Sequence, residues 1–243
     1  MPVFRLDLAY DGTGFRGYAR QEGLRTVQGE LEDALALLLK TGVETSVAGR
    51  TDAGVHAIGQ VVSFEFDGNI DLERMARALN GIVGPELVVK SVQTATADFN
   101  ARSSATWRRY RYLIEMGTPD PLTRSFVWNA GRVLDTDAIG SIALAFVGEH
   151  DFGSFCRSIE GRSLVRRVTD LAVVVDGSSV AIWIQANAFC HQMVRSIVGY
   201  LYDVGRGFSD AALVEDVIAS RDRSRVATVA PPHGLTLVEV GYS

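Results

Sequence analysis

The sequence predicts an α+β fold of two βαββαβ (ferredoxin-like) halves, each an antiparallel sheet with helices on one face, the two sheets joining edge to edge into one continuous, mainly antiparallel sheet. Three observations carry this. Apolar residues alternate with polar ones in short runs such as Phe4–Tyr10 and Val62–Phe66, the period of a half-buried strand. Between those runs they recur at helical spacing. The same order of elements then appears a second time, without obvious sequence identity.

In the first half, Phe4–Tyr10 is a strand closed by Asp11-Gly12-Thr13-Gly14, residues that suit a turn. The loop after it interleaves Phe15 and Tyr18 with Arg16, Arg20 and Gln21, a mixture that suits RNA contact and equally a lid over the core. Val27, Leu31, Leu35, Leu38 and Leu39 mark a helix from Val27 to Lys40, with Thr26 as its N-cap. Val43–Ala48 reads as a short strand, Val62–Phe66 as another, Leu72–Ile82 as a second helix and Leu87–Val92 as a closing strand.

The second half opens with Trp107–Met116, rich in arginine and tyrosine, and continues with a helix marked by Ile139, Ile142, Ala143 and Phe146. Val168–Val175 and Val180–Ala186 meet through Asp176-Gly177, a hairpin signal. Helices follow around Met193–Leu201 and Asp210–Ala219, then a strand at Leu235–Val240. No proline- or serine-rich linker intervenes, so the expectation is two packed halves, 1–105 and 106–243, with a concave surface between them where ligand sites tend to lie.

Composition bounds the chemistry. A chain of 243 residues that is 47% hydrophobic and 22% charged is an ordinary globular protein. It begins directly with a strand-like pattern, shows no signal peptide and contains no run of membrane-spanning length. Cys156 and Cys190 are too few and too far apart for a disulfide framework, which points to a reducing cytoplasm. Four scattered histidines and no CxxC give a metal site little support. A net charge of −5 argues against a protein that coats nucleic acid. Only Lys40 and Lys90 are lysines, however, so the positive charge is nearly all guanidinium, suited to bidentate phosphate contacts. Clusters at Arg108, Arg109 and Arg111, at Arg162, Arg166 and Arg167, and at Arg221, Arg223 and Arg225 are usually solvated faces. Three of them in an acidic chain favour an anionic partner met on one face.

The stretch Ala48–Ala57, Ala-Gly-Arg-Thr-Asp-Ala-Gly-Val-His-Ala, places Arg50, Asp52 and His56 between two strand-like runs. On spacing alone an aspartate here is more often a turn residue bonding its own backbone. No second carboxylate stands near it as a glycosidase requires, and nucleophile-elbow, P-loop and dinucleotide fingerprints are absent. An aspartate nevertheless suits attack on an electrophilic carbon, since the side chain is ordinarily ionised at neutral pH and needs no separate base.

Gly49–His56 resembles the signature motif of the tRNA pseudouridine synthase A family. Further matches are Tyr10–Thr13, Val27–Leu31, Gly59–Val62, Asp98–Arg102, Arg108–Tyr112, Gly148–Phe152, Asn187–Phe189, Met193–Arg195 and His233–Leu235. They cover almost the whole chain in the family's order. The resemblance implies the pseudouridine synthase fold and an isomerase that converts uridine in tRNA to pseudouridine without a cofactor. Carried over position by position, Asp52 matches the catalytic aspartate, Tyr110 the tyrosine that stacks on the target uracil, and Arg195 the arginine paired with the carboxylate. Arg50 is similar to an arginine directed at the RNA, and Leu235 to an apolar residue lining the base pocket. The resemblance also implies a homodimer acting on the anticodon stem-loop, near tRNA positions 38 to 40. This sequence departs from it at Tyr18, commonly tryptophan, at Asn100, frequently histidine, and at Gln192, which interrupts a frequent histidine pair. A non-catalytic RNA-binding protein of the same fold is the alternative. It has no need of an oriented carboxylate.

Overall fold

The computed structural model describes residues 1–157, 161 and 163–242. The strands are β1 (Val3–Tyr10), β2 (Thr45–Val47), β3 (His56–Glu65), β4 (Leu87–Ala95), β5 (Ala105–Glu115), β6 (Trp128–Asn129), β7 (Gly148–Asp151), β8 (Val165–Asp176), β9 (Ser179–Ala186) and β10 (Leu235–Tyr242). The helices are α1 (Val27–Leu39), α2 (Leu72–Val83), α3 (Thr136–Ala143), α4 (Met193–Gly205) and α5 (Val214–Ser220). The chain is thus a mixed α/β protein with mostly antiparallel strand pairing. It divides into two compact units, Met1–Arg108 with Thr236–Ser243, and Arg109–Leu235.

In the first unit the strand order is β4-β1-β3-β10, with β2 added to β3. β1 runs antiparallel to both neighbours, setting Leu6 opposite Val62 on β3 and Val92 on β4. β10 lies parallel to β3, with Thr236 opposite His56. α1 starts at Thr26, whose hydroxyl accepts the Gly29 N–H at 3.2 Å, satisfying a donor that the helix's first turn otherwise leaves unpaired. Asp71 caps α2 in the same way through the Arg74 N–H. Leu31 and Leu35 of α1, Leu79 of α2 and Leu6, Leu8 and Leu87 of the strands are fully buried, each contributing about 1.5–3 kcal/mol.

One expectation is corrected here, and an open choice is resolved. The predicted strand Val43–Ala48 shrinks to Thr45–Val47, and at its first residue the Thr45 amide and hydroxyl both bond the Glu32 carboxylate of α1. Of the two readings open for the loop with Phe15 and Tyr18, the lid is the one that fits, since both rings are buried. Arg20 within it is held by Glu32 and Asp33.

In the second unit the order is β5-β9-β8-β7, with β6 beside β5. The β8–β9 hairpin turns at Gly177, whose φ of 58° is a left-handed conformation that favours glycine. α3 packs against α4 and β8, and Phe146, Phe155 and Tyr200 meet edge to face beneath them. The predicted helix over Asp210–Ala219 splits into a 3-10 turn, Ala211–Leu213, and α5, because the Asp210 side chain caps the Ala212 N–H and tightens the first turn. Among the described residues no helix is long and apolar enough to cross a membrane.

Candidate active site

In the first unit the signature segment is the loop from β2 to β3. Bonds fix its backbone residue by residue. The Ala48 N–H donates to Val61 O at 2.9 Å, and Ala48 O accepts both Nε and Nη2 of Arg108. Gly49 O accepts the Gln60 side-chain amide at 2.7 Å. Thr51 O accepts the Tyr18 N–H at 3.0 Å, and Asp52 O the Val55 N–H at 3.1 Å. The Thr51 hydroxyl bonds the Tyr10 phenol at 2.8 Å.

Two glycines let the neighbouring chain come this close. A Cβ at Gly12 would lie 2.1 Å from Val55 O, and Gly17 has φ +99°, where a Cβ would lie 3.2 Å from Thr51 O and 3.3 Å from Ala53 N. His56, buried at the start of β3, accepts the Gly12 N–H on Nδ1 at 3.0 Å and so steadies the Gly12 turn against the loop. The result is a loop with Asp52 half-buried and Arg50 exposed.

The second unit carries the other assigned residues. Tyr110, in the middle of β5, is 6% exposed and meets the edge of the Phe189 ring at a centroid distance of 5.1 Å. Phe189 stands in the loop between β9 and α4. On α4, Arg195 donates from Nε to Ala230 O at 2.8 Å while the Ala230 N–H returns a bond to Arg195 O at 2.9 Å. This reciprocal pair sets the direction of the guanidinium. Leu235 is 5% exposed and opens β10. Just before it, Gly234 packs on the Tyr112 ring, where a Cβ would lie 2.6 Å from ring carbons. Burial raises the Tyr112 hydroxyl far above the ordinary phenol range despite the nearby positive charge of Arg195, so it remains a donor, to Pro231 O at 2.8 Å. The structure therefore groups Asp52 with Arg50 in one unit, and Tyr110, Arg195 and Leu235 in the other.

Several sequence-level readings change. Cys156 and Cys190 are joined as a disulfide with their Cα atoms 5.8 Å apart. Their separation along the chain gave no sign of this, since the fold returns the loop before α4 to the turn after β7. Arg108 is not part of a basic surface. It is 8% exposed and also bonds Ala105 O and Arg102 O. Arg109 and Arg111 lie over the Trp183 ring at 5.1 and 5.6 Å, Arg167 faces Glu149 and Arg221 faces Asp151, and Arg223 bonds Ser196 and Gln192. Arg162 lies outside the described residues. The departures from the family pattern are accommodated locally. Asn100 bonds Ser46, and Gln192 takes φ 65° ahead of α4. Tyr10, Gln60 and Phe189 lie in segments that match the family's pattern, but the sequence assigns none of them a role of its own. A polar glutamine at the head of an apolar run is the local signal that points to Gln60. Among the described residues no group of three or more His, Cys, Asp or Glu side chains is placed to hold a metal ion.

The model of the family described as tRNA pseudouridine synthase matches residues 8–102 and 142–243, which include each assigned residue except Tyr110. That sets the class: an isomerase that forms pseudouridine in tRNA. The chain is 43% identical to tRNA pseudouridine synthase A of Cutibacterium acnes, over all of this chain and 89% of the relative. It is 44% identical to that of Streptomyces avermitilis, over 98% and 87%, and 39% identical to that of Thermosipho africanus, over 99% of each. The chain belongs to the tRNA pseudouridine synthase A family.

Proposed function

We propose that Asp52 is the nucleophile of this isomerisation, and that the uridines it converts lie in the anticodon stem-loop, at tRNA positions 38 to 40. The reaction breaks the N1–C1′ bond of uridine, turns the freed uracil and joins C5 to C1′. The C5 proton leaves and N1 gains one, so atoms balance without a cofactor. A carboxylate serves by attack on C1′ or on the pyrimidine ring. The observation that carries the reading is the Asp52 loop. Its backbone is bonded at Gly49, Thr51 and Asp52, a rigid mount for a group that has to meet a carbon in one orientation.

In this reading Tyr110 stacks on the uracil and, with Leu235, keeps the detached base from escaping. Arg195 pairs with the Asp52 carboxylate, and Arg50 enters the stem as the uridine is flipped out, a step that costs a few kcal/mol. The resemblance supports these roles, and also a cytoplasmic homodimer, which light scattering on the purified protein tests.

Asp52→Ala is expected to abolish pseudouridine formation while tRNA affinity changes by less than about threefold, since a carboxylate contributes nothing favourable to phosphate binding. The measurement is a mass-shift assay on tRNA after uridine-specific labelling, beside a filter-binding titration. Product at the wild-type rate refutes the assignment. Mapping the modified positions tests the choice of stem-loop.

A further inference from the structure

Beneath the Asp52 loop runs a buried polar chain that no catalytic step uses. Gln60, on β3, is fully buried. One hydrogen of its side-chain amide goes to Gly49 O at 2.7 Å and the other to the Tyr10 hydroxyl at 3.1 Å. A flipped amide would set Oε1 against the Gly49 carbonyl, two acceptors face to face, so the orientation is fixed. The Tyr10 oxygen, which accepts from Gln60, also bonds Thr51 Oγ1, 2.8 Å away, and either hydroxyl can supply the hydrogen of that bond. Tyr10 is 4% exposed and Thr51 8%. Burial pushes the Tyr10 hydroxyl up to about 12, so it keeps its hydrogen at any working pH. The chain runs from amide to phenol to hydroxyl and grips the loop on both sides of Arg50, at Gly49 and at Thr51, the residue next to Asp52.

Apolar side chains would fill this part of the core without leaving buried donors to satisfy. A hydrogen-bonded chain instead fixes direction as well as volume. Resting on the reading of Asp52 as nucleophile, we propose that Gln60, Tyr10 and Thr51 are positioning residues that hold the Gly49–Asp52 backbone so that the carboxylate meets its carbon at a set distance and angle. Tyr10 and Gln60 do this from within the fold, acting through Thr51 and Gly49.

The test is single-turnover kinetics on a tRNA transcript with Tyr10→Phe, Thr51→Val, Thr51→Ser and the Tyr10→Phe/Thr51→Val double variant, each first checked for a cooperative melt. Tyr10→Phe and Thr51→Val are expected to lower the saturating rate about 10- to 100-fold, as a misplacement of about 1 Å does, with half-saturation for tRNA moving less than twofold. Thr51→Ser restores the hydroxyl and is expected within about threefold of wild type. The double variant should be no slower than the slower single, because both singles break the Tyr10–Thr51 bond. Asp52→Asn is run beside them. If it is inactive while Tyr10→Phe keeps the wild-type rate, or if the two losses multiply, the positioning chain is overturned and the nucleophile stands. An active Asp52→Asn overturns both. Should Tyr10→Phe fail to fold, equal rates for Thr51→Val and Thr51→Ser overturn the chain, and a loss in the first that the second repairs supports it.

Discussion

Asp52 and Tyr110 are held in place by different forces. Around Asp52 the fixing contacts are hydrogen bonds to main-chain atoms, from Tyr18, Val55 and Gln60, with glycines at Gly12 and Gly17 allowing the chains to touch. Around Tyr110 they are a strand interior, the edge of Phe189 and a loop stapled by Cys156 and Cys190. Hydrogen bonds specify direction and fail when one partner is removed. Packing specifies volume and yields gradually. The first suits a reactive atom that has to point one way, the second a flat surface for a ring.

Three substitutions or conditions break this contrast, in falling order of effect. Gly12→Ala places a methyl group at 2.1 Å from Val55 O, both partners being main chain, so it is expected to cost about 3 kcal/mol or more. Urea denaturation midpoints measure it, and a loss below about 1 kcal/mol would show that the loop yields after all. On the other side, Phe189→Ala removes a half-buried ring and its edge contact, for about 2 kcal/mol. Half-saturation for tRNA is expected to rise severalfold, and an unchanged value would detach Phe189 from the platform.

The smallest effect concerns pH. The Tyr10 hydroxyl ionises near 10 in the unfolded chain and at about 12 in the folded one, because burial disfavours the phenolate. Stability from this group is therefore fully present below pH 10 and lost as pH rises from 10 towards 12. Near pH 11 the loss is about 1 kcal/mol. Tyr10→Phe lacks it, so the stability gap between the two proteins should narrow on going from pH 8 to pH 11. A gap that stays constant contradicts the assignment.

What the sequence made legible were features written within a few residues. Thr26 announces α1 because caps act locally, and the Asp176-Gly177 turn announces its hairpin. β6 and β7 escape notice because two and four residues carry no periodicity. Gly59 illustrates the limit. It reads as a weak strand residue until Val238 O is seen where its Cβ would be, 2.0 Å away, a partner far along the chain. The surroundings of Asp52 follow the same rule. That it stands on a glycine-punctuated loop is visible in ten residues, whereas the bonds from Tyr10 and Gln60 join positions 41 and 50 residues apart. The cysteine pair, 34 residues apart, was misjudged for this reason.

The make-up of the first unit has a consequence for synthesis. Thr236 and Leu237 of β10 pair with His56 and Ala57, the first residues of the strand that the Asp52 loop enters. The whole second unit leaves the ribosome before they do. A segment made early is completed by one made late, so the nascent chain has to keep β3 open along one edge while the intervening residues fold. A chain stopped short of Thr236 would lose its support at the loop near its beginning, far in sequence from the missing residues.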